Sequence, residues 1–160
     1  MRMMLMTPAI ELAKQRGLDF KLHEYHHDPK VASYGLEAAE KLAVNPSQVF
    51  KTLVVVTDTG TLAVAIIPVN SSLNFKKMVK ALRCKKVQMA DPKQVERTTG
   101  YVLGGVSPLG QKKRLASVID NSAQTKRTIY VSAGRRGLEI ELPPDQLAET
   151  IQAAMAELID

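Results

Sequence analysis

The chain has 160 residues, 45% hydrophobic and 24% charged, the size and mix of one soluble globular domain rather than of a disordered chain. A formal net charge of +6 favours an anionic partner: nucleic acid, a phosphorylated ligand or an acidic membrane surface. The one cysteine, Cys84, excludes an internal disulfide and a multi-thiolate metal site.

With no tryptophan and 4% aromatics, the core should be aliphatic. The opening "MRMMLM" is too short and too weakly basic for a signal peptide. No apolar run approaches the roughly 20 residues that cross a bilayer. No membrane is therefore expected, and the expected location is cytoplasmic.

In chain order, Thr7 and Pro8 begin a helix that Gly17 ends, with Ile10, Leu12 and Ala13 near one face. "DFKLHEY" alternates, Phe20 and Leu22 against Lys21 and His23, which predicts a strand. "SYGLEAAEKLAV" reads as a short helix, and Asn45 to Gln48 as a capped turn. Phe50–Thr57 and Thr61–Pro68 flank Asp58, Thr59 and Gly60 as a hairpin. Asn74 caps the basic helix "FKKMVKAL", beyond which Cys84 reads as a small buried residue at a helix end, and "KKVQMA" is a short strand. Asp91 and Pro92 open another helix, with Gln94 placed to complete a capping box, and Gly100 closes it. "RLASVID", "TIYVS" and "LEIEL" are three further strands. Pro143 and Pro144 start a last amphipathic helix expected to run from Asp145 to Leu158, with Leu147, Ile151, Met155 and Leu158 on one stripe. Strands outnumber helices without alternating with them. That argues against a doubly wound parallel sheet and for an α+β domain with a mixed, mostly antiparallel, barrel-like sheet surrounded by helices. There is no internal repeat or linker, so residues 1–160 form one domain.

Four stretches carry candidate chemistry. In "QVFKTLVVV" a lysine, Lys51, interrupts an otherwise apolar strand; it either faces water or is held at a pocket. "HEYHHD" gathers His23, His26, His27 and Asp28, but no second cluster of ligands completes a metal site, and a polar strand end is the expected reading. "GGVSPLG" surrounds a proline with glycines, so its backbone turns sharply and can present N–H groups to an anion or a carbonyl oxygen. It lacks the lysine and hydroxyl of a nucleotide P-loop. "QKKR" follows at once, with Lys112, Lys113 and Arg114 either solvated or on phosphates. "VSAGRRGLEIEL" repeats the pattern of a serine, a glycine turn and two arginines. Ser107 and Ser132 lack the local signature of an activated nucleophile.

Taken together, "FKTLVV", "GGVSPLG" and "IYVSAGRRGLEIEL" resemble the YbaK-type aminoacyl-tRNA editing proteins. "TPAIELAKQRG" and "HEYHHDP" resemble the bacterial Cys-tRNA(Pro) deacylase branch. The likeness runs from about Thr7 to the last helix; "MRMML" has no expected counterpart. The family is itself similar to the editing domain inserted in bacterial prolyl-tRNA synthetases. The resemblance implies a trans-acting deacylase that clears mischarged Cys-tRNA(Pro), without cofactor or metal, with tRNA as partner and prolyl-tRNA synthetase as a further candidate partner. It implies that Lys51 fixes the terminal nucleotide and the ester. Gly104, Gly105, Ser107 and Pro108 would shape the aminoacyl pocket, and Tyr25, Ser132 and Gly134 would line it. Lys112, Lys113, Arg114 and Arg135 would meet the acceptor stem. It also implies that the substrate's own thiol attacks its ester, with water-mediated hydrolysis, as in the alanine-removing relatives, as the alternative. A tRNA-binding adaptor without catalysis is the alternative from another class.

Overall fold

A computed structural model describes residues 6–31 and 33–160; "MRMML", on which most of the signal-peptide argument falls, lies outside them. Helix α1 (Pro8–Gln15) starts where Thr7 accepts the amide of Ile10 at 3.2 Å, with proline in its first turn. Its buried face is Ala9, Ile10 and Ala13. Strand β1 (Lys21–Glu24) and helix α2 (Tyr34–Lys41) follow. A short 3-10 turn, Pro46–Gln48, capped by Asn45, leads into the hairpin of β2 (Phe50–Thr57) and β3 (Leu62–Pro68). Next come α3 (Phe75–Leu82), capped by the Asn74 side chain, β4 (Val87–Met89) and α4 (Pro92–Thr99). After a long loop, β5 (Ala116–Asp120), β6 (Ile129–Arg135), β7 (Leu138–Leu142), α5 (Pro144–Ile151) and β8 (Ala154–Ala156) complete the chain.

The strands form two sheets. One has the order β1-β7-β6 and is antiparallel throughout. The other has the order β4-β2-β3-β5-β8; β2 is antiparallel to β3 and β4, while β5 runs parallel to β3 and β8. They meet at a parallel bridge between Val49 and Tyr130. The architecture is thus mixed α+β with helices outside, but among the described residues the sheets do not close into a barrel. Every residue of β3 is buried, because both faces of its sheet are covered. Leu62, Val64 and Ile66 join the main core against β6, β7, α1 and α5, while Ala63, Ala65 and Ile67 join a second core under α3. A third cluster, Ala38, Ala39, Val49, Val69 and Tyr130, packs α2 over the far side of the small sheet.

Three expectations are corrected. The last helix stops at Ile151, where Gln152 turns left-handed at φ 54°. The chain then adds β8 to the edge of β5, and Leu158 is fixed by its amide donating to the Asp120 carboxylate at 2.9 Å. The apolar stripe was real, but part of it is satisfied by strand pairing. The Asp91 side chain makes no capping bond at α4. Cys84 is only half-buried, beyond α3, with its Sγ donating to the Lys86 carbonyl at 3.7 Å.

Candidate active site

A cavity of about 290 Å³ opens where the two sheets meet. The start of β2 gives one wall (Phe50, Lys51, Thr52, Leu53), and the beginning of α2 roofs it (Ser33, Tyr34, Gly35). The loop at Leu103, Gly104 and Val106 closes one side, and Tyr25, Ser132 and Glu139 form the side facing the small sheet. Alternation along β7 explains the last group. Leu138, Ile140 and Leu142 point into the main core, so Glu139 and Glu141 must point the other way. Ser132 on β6 lies opposite Glu139 in register.

Lys51 answers its own puzzle. It is half-buried, and desolvation holds its ammonium below the ordinary lysine pKa. Among the described residues its side chain makes no hydrogen bond or ion pair. Such a cation in a mostly apolar cavity is incompletely satisfied until an anion or polarised oxygen arrives. Glu139, 7% exposed, is pushed up to about 8 by burial and likewise makes no hydrogen bond or ion pair. Near neutral pH its carboxyl is therefore mostly protonated and can donate a hydrogen bond. Burial, and then the charge of Glu139, push the Tyr25 phenol up to about 12. The Thr52 hydroxyl is buried in the same wall without a partner. Two neutral donors, one cation and one orphan hydroxyl thus surround a small apolar space.

The rim is held rigidly. Glu37, buried in α2, accepts His27 Nδ1 at 2.7 Å, the Asp28 amide at 2.8 Å and Lys41 Nζ at 3.2 Å. Burial alone would raise its pKa, but these bonds outweigh it and hold the carboxyl below the ordinary glutamate range. Arg136 lies 4.6 Å over the Tyr34 ring and donates to the Leu103 carbonyl at 3.0 and 2.6 Å. The 104–110 loop is pinned from below. Tyr101 Oη donates to the Leu109 carbonyl at 2.7 Å, and the Leu109 amide donates to Ser107 Oγ at 3.2 Å. A side chain at Gly104, which sits at φ +85°, would strike Tyr34 and Arg136 at 2.7–2.8 Å.

Of the residues singled out from sequence, Lys51, Tyr25, Gly104 and Ser132 come together at this cavity. Gly105 is buried behind it, its Cα side against the Arg135 backbone. Ser107 is fully buried in the loop's own hydrogen bonding, and Pro108 lines a different hollow beside Arg114 and Thr150. Gly134 packs on Tyr101 and Thr7. Lys112, Lys113 and Arg114 are exposed and do not line this cavity, and Arg135 lines a neighbouring groove with Glu24, Tyr25 and His26. His23 and His27 bond different carboxylates, Glu141 and Glu37. No group of three His, Cys, Asp or Glu that could hold a metal occurs among the described residues. No described helix is long and apolar enough to cross a membrane. Sequence reasoning missed Glu139, Thr52, Ser33 and Tyr34. Only Glu139 left a signal, as an acid between strictly apolar neighbours in "LEIEL".

The chain belongs to the aminoacyl-tRNA editing domain family, whose model matches residues 28–150. Over 152 residues it is 38% identical to EbsC of Enterococcus faecalis, described as a candidate Cys-tRNA(Pro)/Cys-tRNA(Cys) deacylase, covering 95% of this chain and 92% of that one. It is 25% identical over 133 residues to the proline–tRNA ligase of Lactobacillus delbrueckii subsp. bulgaricus, covering 81% of this chain but 23% of the ligase. The crystal structure of a candidate trans-editing enzyme for prolyl-tRNA synthetase superposes with a TM-score of 0.84. That match covers 98% and 99% of the two chains, and at 22% identity it supports the fold alone.

Proposed function

We propose that the chain is a trans-acting aminoacyl-tRNA deacylase that removes cysteine mischarged onto tRNA(Pro), working in the cytoplasm where tRNA is charged. The observation that carries this is Lys51, an unpaired cation on a rigid strand inside a cavity sized for a small aminoacyl group. A proline pocket rejects cysteine poorly, because small differences in side-chain volume are worth only about 1–3 kcal/mol. A second site is then needed. Lys51 would hold the ester and terminal nucleotide by charge-assisted hydrogen bonds. Tyr25, Ser132 and Glu139 would fix the amino acid, and the loop at Gly104 would press on its carbonyl.

The substrate supplies the nucleophile. Its thiol sulfur bonds to its own carbonyl carbon, the ester C–O bond to the ribose breaks, and the ribose oxygen takes up the thiol proton. Water then opens the thiolactone. The protein's contribution is orientation, worth about 7–11 kcal/mol in favourable intramolecular cases. Prolyl-tRNA synthetase, which produces the substrate, is the natural partner.

The test is release of labelled cysteine from Cys-tRNA(Pro) in single turnover, with thermal melting alongside. Lys51→Ala should lower the rate about 100-fold, as removal of one fixed charged donor does, while the Tm stays near wild type. A near-normal rate in a folded variant removes Lys51 from the site. If wild type binds the RNA but releases no cysteine, the chain is an adaptor instead.

A further inference from the structure

Beside the cavity, and sharing Tyr25 with it, lies a groove of about 440 Å³ lined by Glu24, Tyr25, His26, His27, Arg135 and Arg136. It is preorganised for an anion. The tight β6–β7 turn presents both arginines and is pressed onto the 24–27 segment. Gly137, at φ +86°, accepts the Tyr25 amide at 3.0 Å, and a Cβ there would lie 2.8 Å from the Tyr25 carbonyl. Arg136 is held by Tyr34 and Leu103, and His27 by Glu37. Arg135 is satisfied least. Its guanidinium reaches Glu24 at 3.4 Å and the Arg136 carbonyl at 3.5 Å, and its Nε is buried without a partner. Planar guanidinium groups fixed at one wall suit a phosphate.

Resting on the deacylase reading, we propose that this groove holds the phosphodiester joining the terminal nucleotide of the tRNA to its predecessor. The position follows from the shared wall. Tyr25 lines both spaces, so an aminoacyl group fixed in the cavity leaves the RNA that follows it within reach of the groove, and its nearest phosphate then falls beside Arg135 and Arg136. The Lys112–Arg114 run borders neither space, so it attracts RNA at longer range and does not set register. The phosphate competes with Glu24 for Arg135, and the 3.4 Å separation of that pair makes the exchange inexpensive.

The experiment uses an unacylated RNA ending in CCA, with each phosphodiester replaced in turn by a neutral methylphosphonate, and reads the Kd. For wild type, the terminal linkage should show the largest loss, about tenfold. For Arg135→Ala that same substitution should cost less than about twofold, since the two changes remove one interaction. The variant's slope of log K against log salt should also be shallower by about 0.7, as for one phosphate on a single strand. Equal losses in both proteins, or a largest loss at another linkage, overturn the assignment. The wild-type scan decides by itself if the variant does not fold. Coupling without cysteine release keeps the groove and rejects the deacylase; release without coupling does the reverse.

Discussion

Lys51 and Glu139 show how differently single residues can be read. Lys51 is conspicuous because nothing around it in "QVFKTLVVV" is charged, and it lines the cavity. Glu139 hides, because an acid alternating with leucine and isoleucine is how a strand with one wet face is written. What sequence alone cannot convey is that α2 and the start of β2 cover that face and leave the carboxyl dry. The consequence is measurable. Its folded pKa of about 8 lies above the ordinary 4.5, so folding is favoured by protonation. The stabilisation is complete below about pH 4.5 and is lost as pH rises through about 8. Glu139→Gln is neutral at every pH and escapes this loss. Denaturant melts from about pH 5 to 9 should therefore show the variant gaining on wild type as pH rises, at up to about 1.4 kcal/mol per pH unit. Parallel curves would mean that the carboxyl is solvated in the folded protein.

At the scale of elements, the hairpin, the capped helices and the two glycine loops were legible, because caps, turns and alternation are local chemistry. The end of the chain was not. Gln152 turns left-handed and Ala154–Ala156 pairs with β5, and small, helix-favouring residues carry no local sign of an edge strand; tertiary pairing overrides propensity. Likewise α2 was legible as a helix but not as the roof of the site. Its seat depends on Gly35, where a Cβ would lie 2.3 Å from Val69 Cγ1 and 2.9 Å from Val69 Cβ. Val69 is 5% exposed and sits beside the Val49 bridge, so it has little room to yield. Gly35→Ala should lift α2 from the sheet, cost about 1–3 kcal/mol, and weaken substrate binding through Ser33 and Tyr34. The measurement pairs chemical denaturation with KM. Unchanged stability and unchanged KM would mean that Val69 moves aside and the helix does not define the roof.

Across the whole molecule, the question is where a nucleophile could come from. Cys84 is too far away. It shares a hollow with Thr57, at the far end of β2, whereas Lys51 stands at the near end. Six residue steps along the strand separate the two by roughly 20 Å. Ser107 is sealed inside its loop. Ser132 does line the cavity, but its Oγ already accepts the Gly134 amide at 3.2 Å. The acid opposite it, Glu139, is mostly protonated near neutral pH and so is a weak base there. None of these side chains is thus an activated nucleophile, which agrees with the proposal above that the substrate's thiol attacks. Cys84→Ser should keep the wild-type rate on Cys-tRNA(Pro). The same tRNA charged with serine, close in shape but far less nucleophilic, should turn over about 100-fold more slowly, a barrier difference of about 2.7 kcal/mol. If the serine ester is cleaved as fast as the cysteine ester, a group of the protein or a bound water attacks. Ser132→Ala then decides between them: loss of the seryl reaction assigns the attack to the hydroxyl beside Glu139, and its survival assigns it to water held by Lys51 and Thr52.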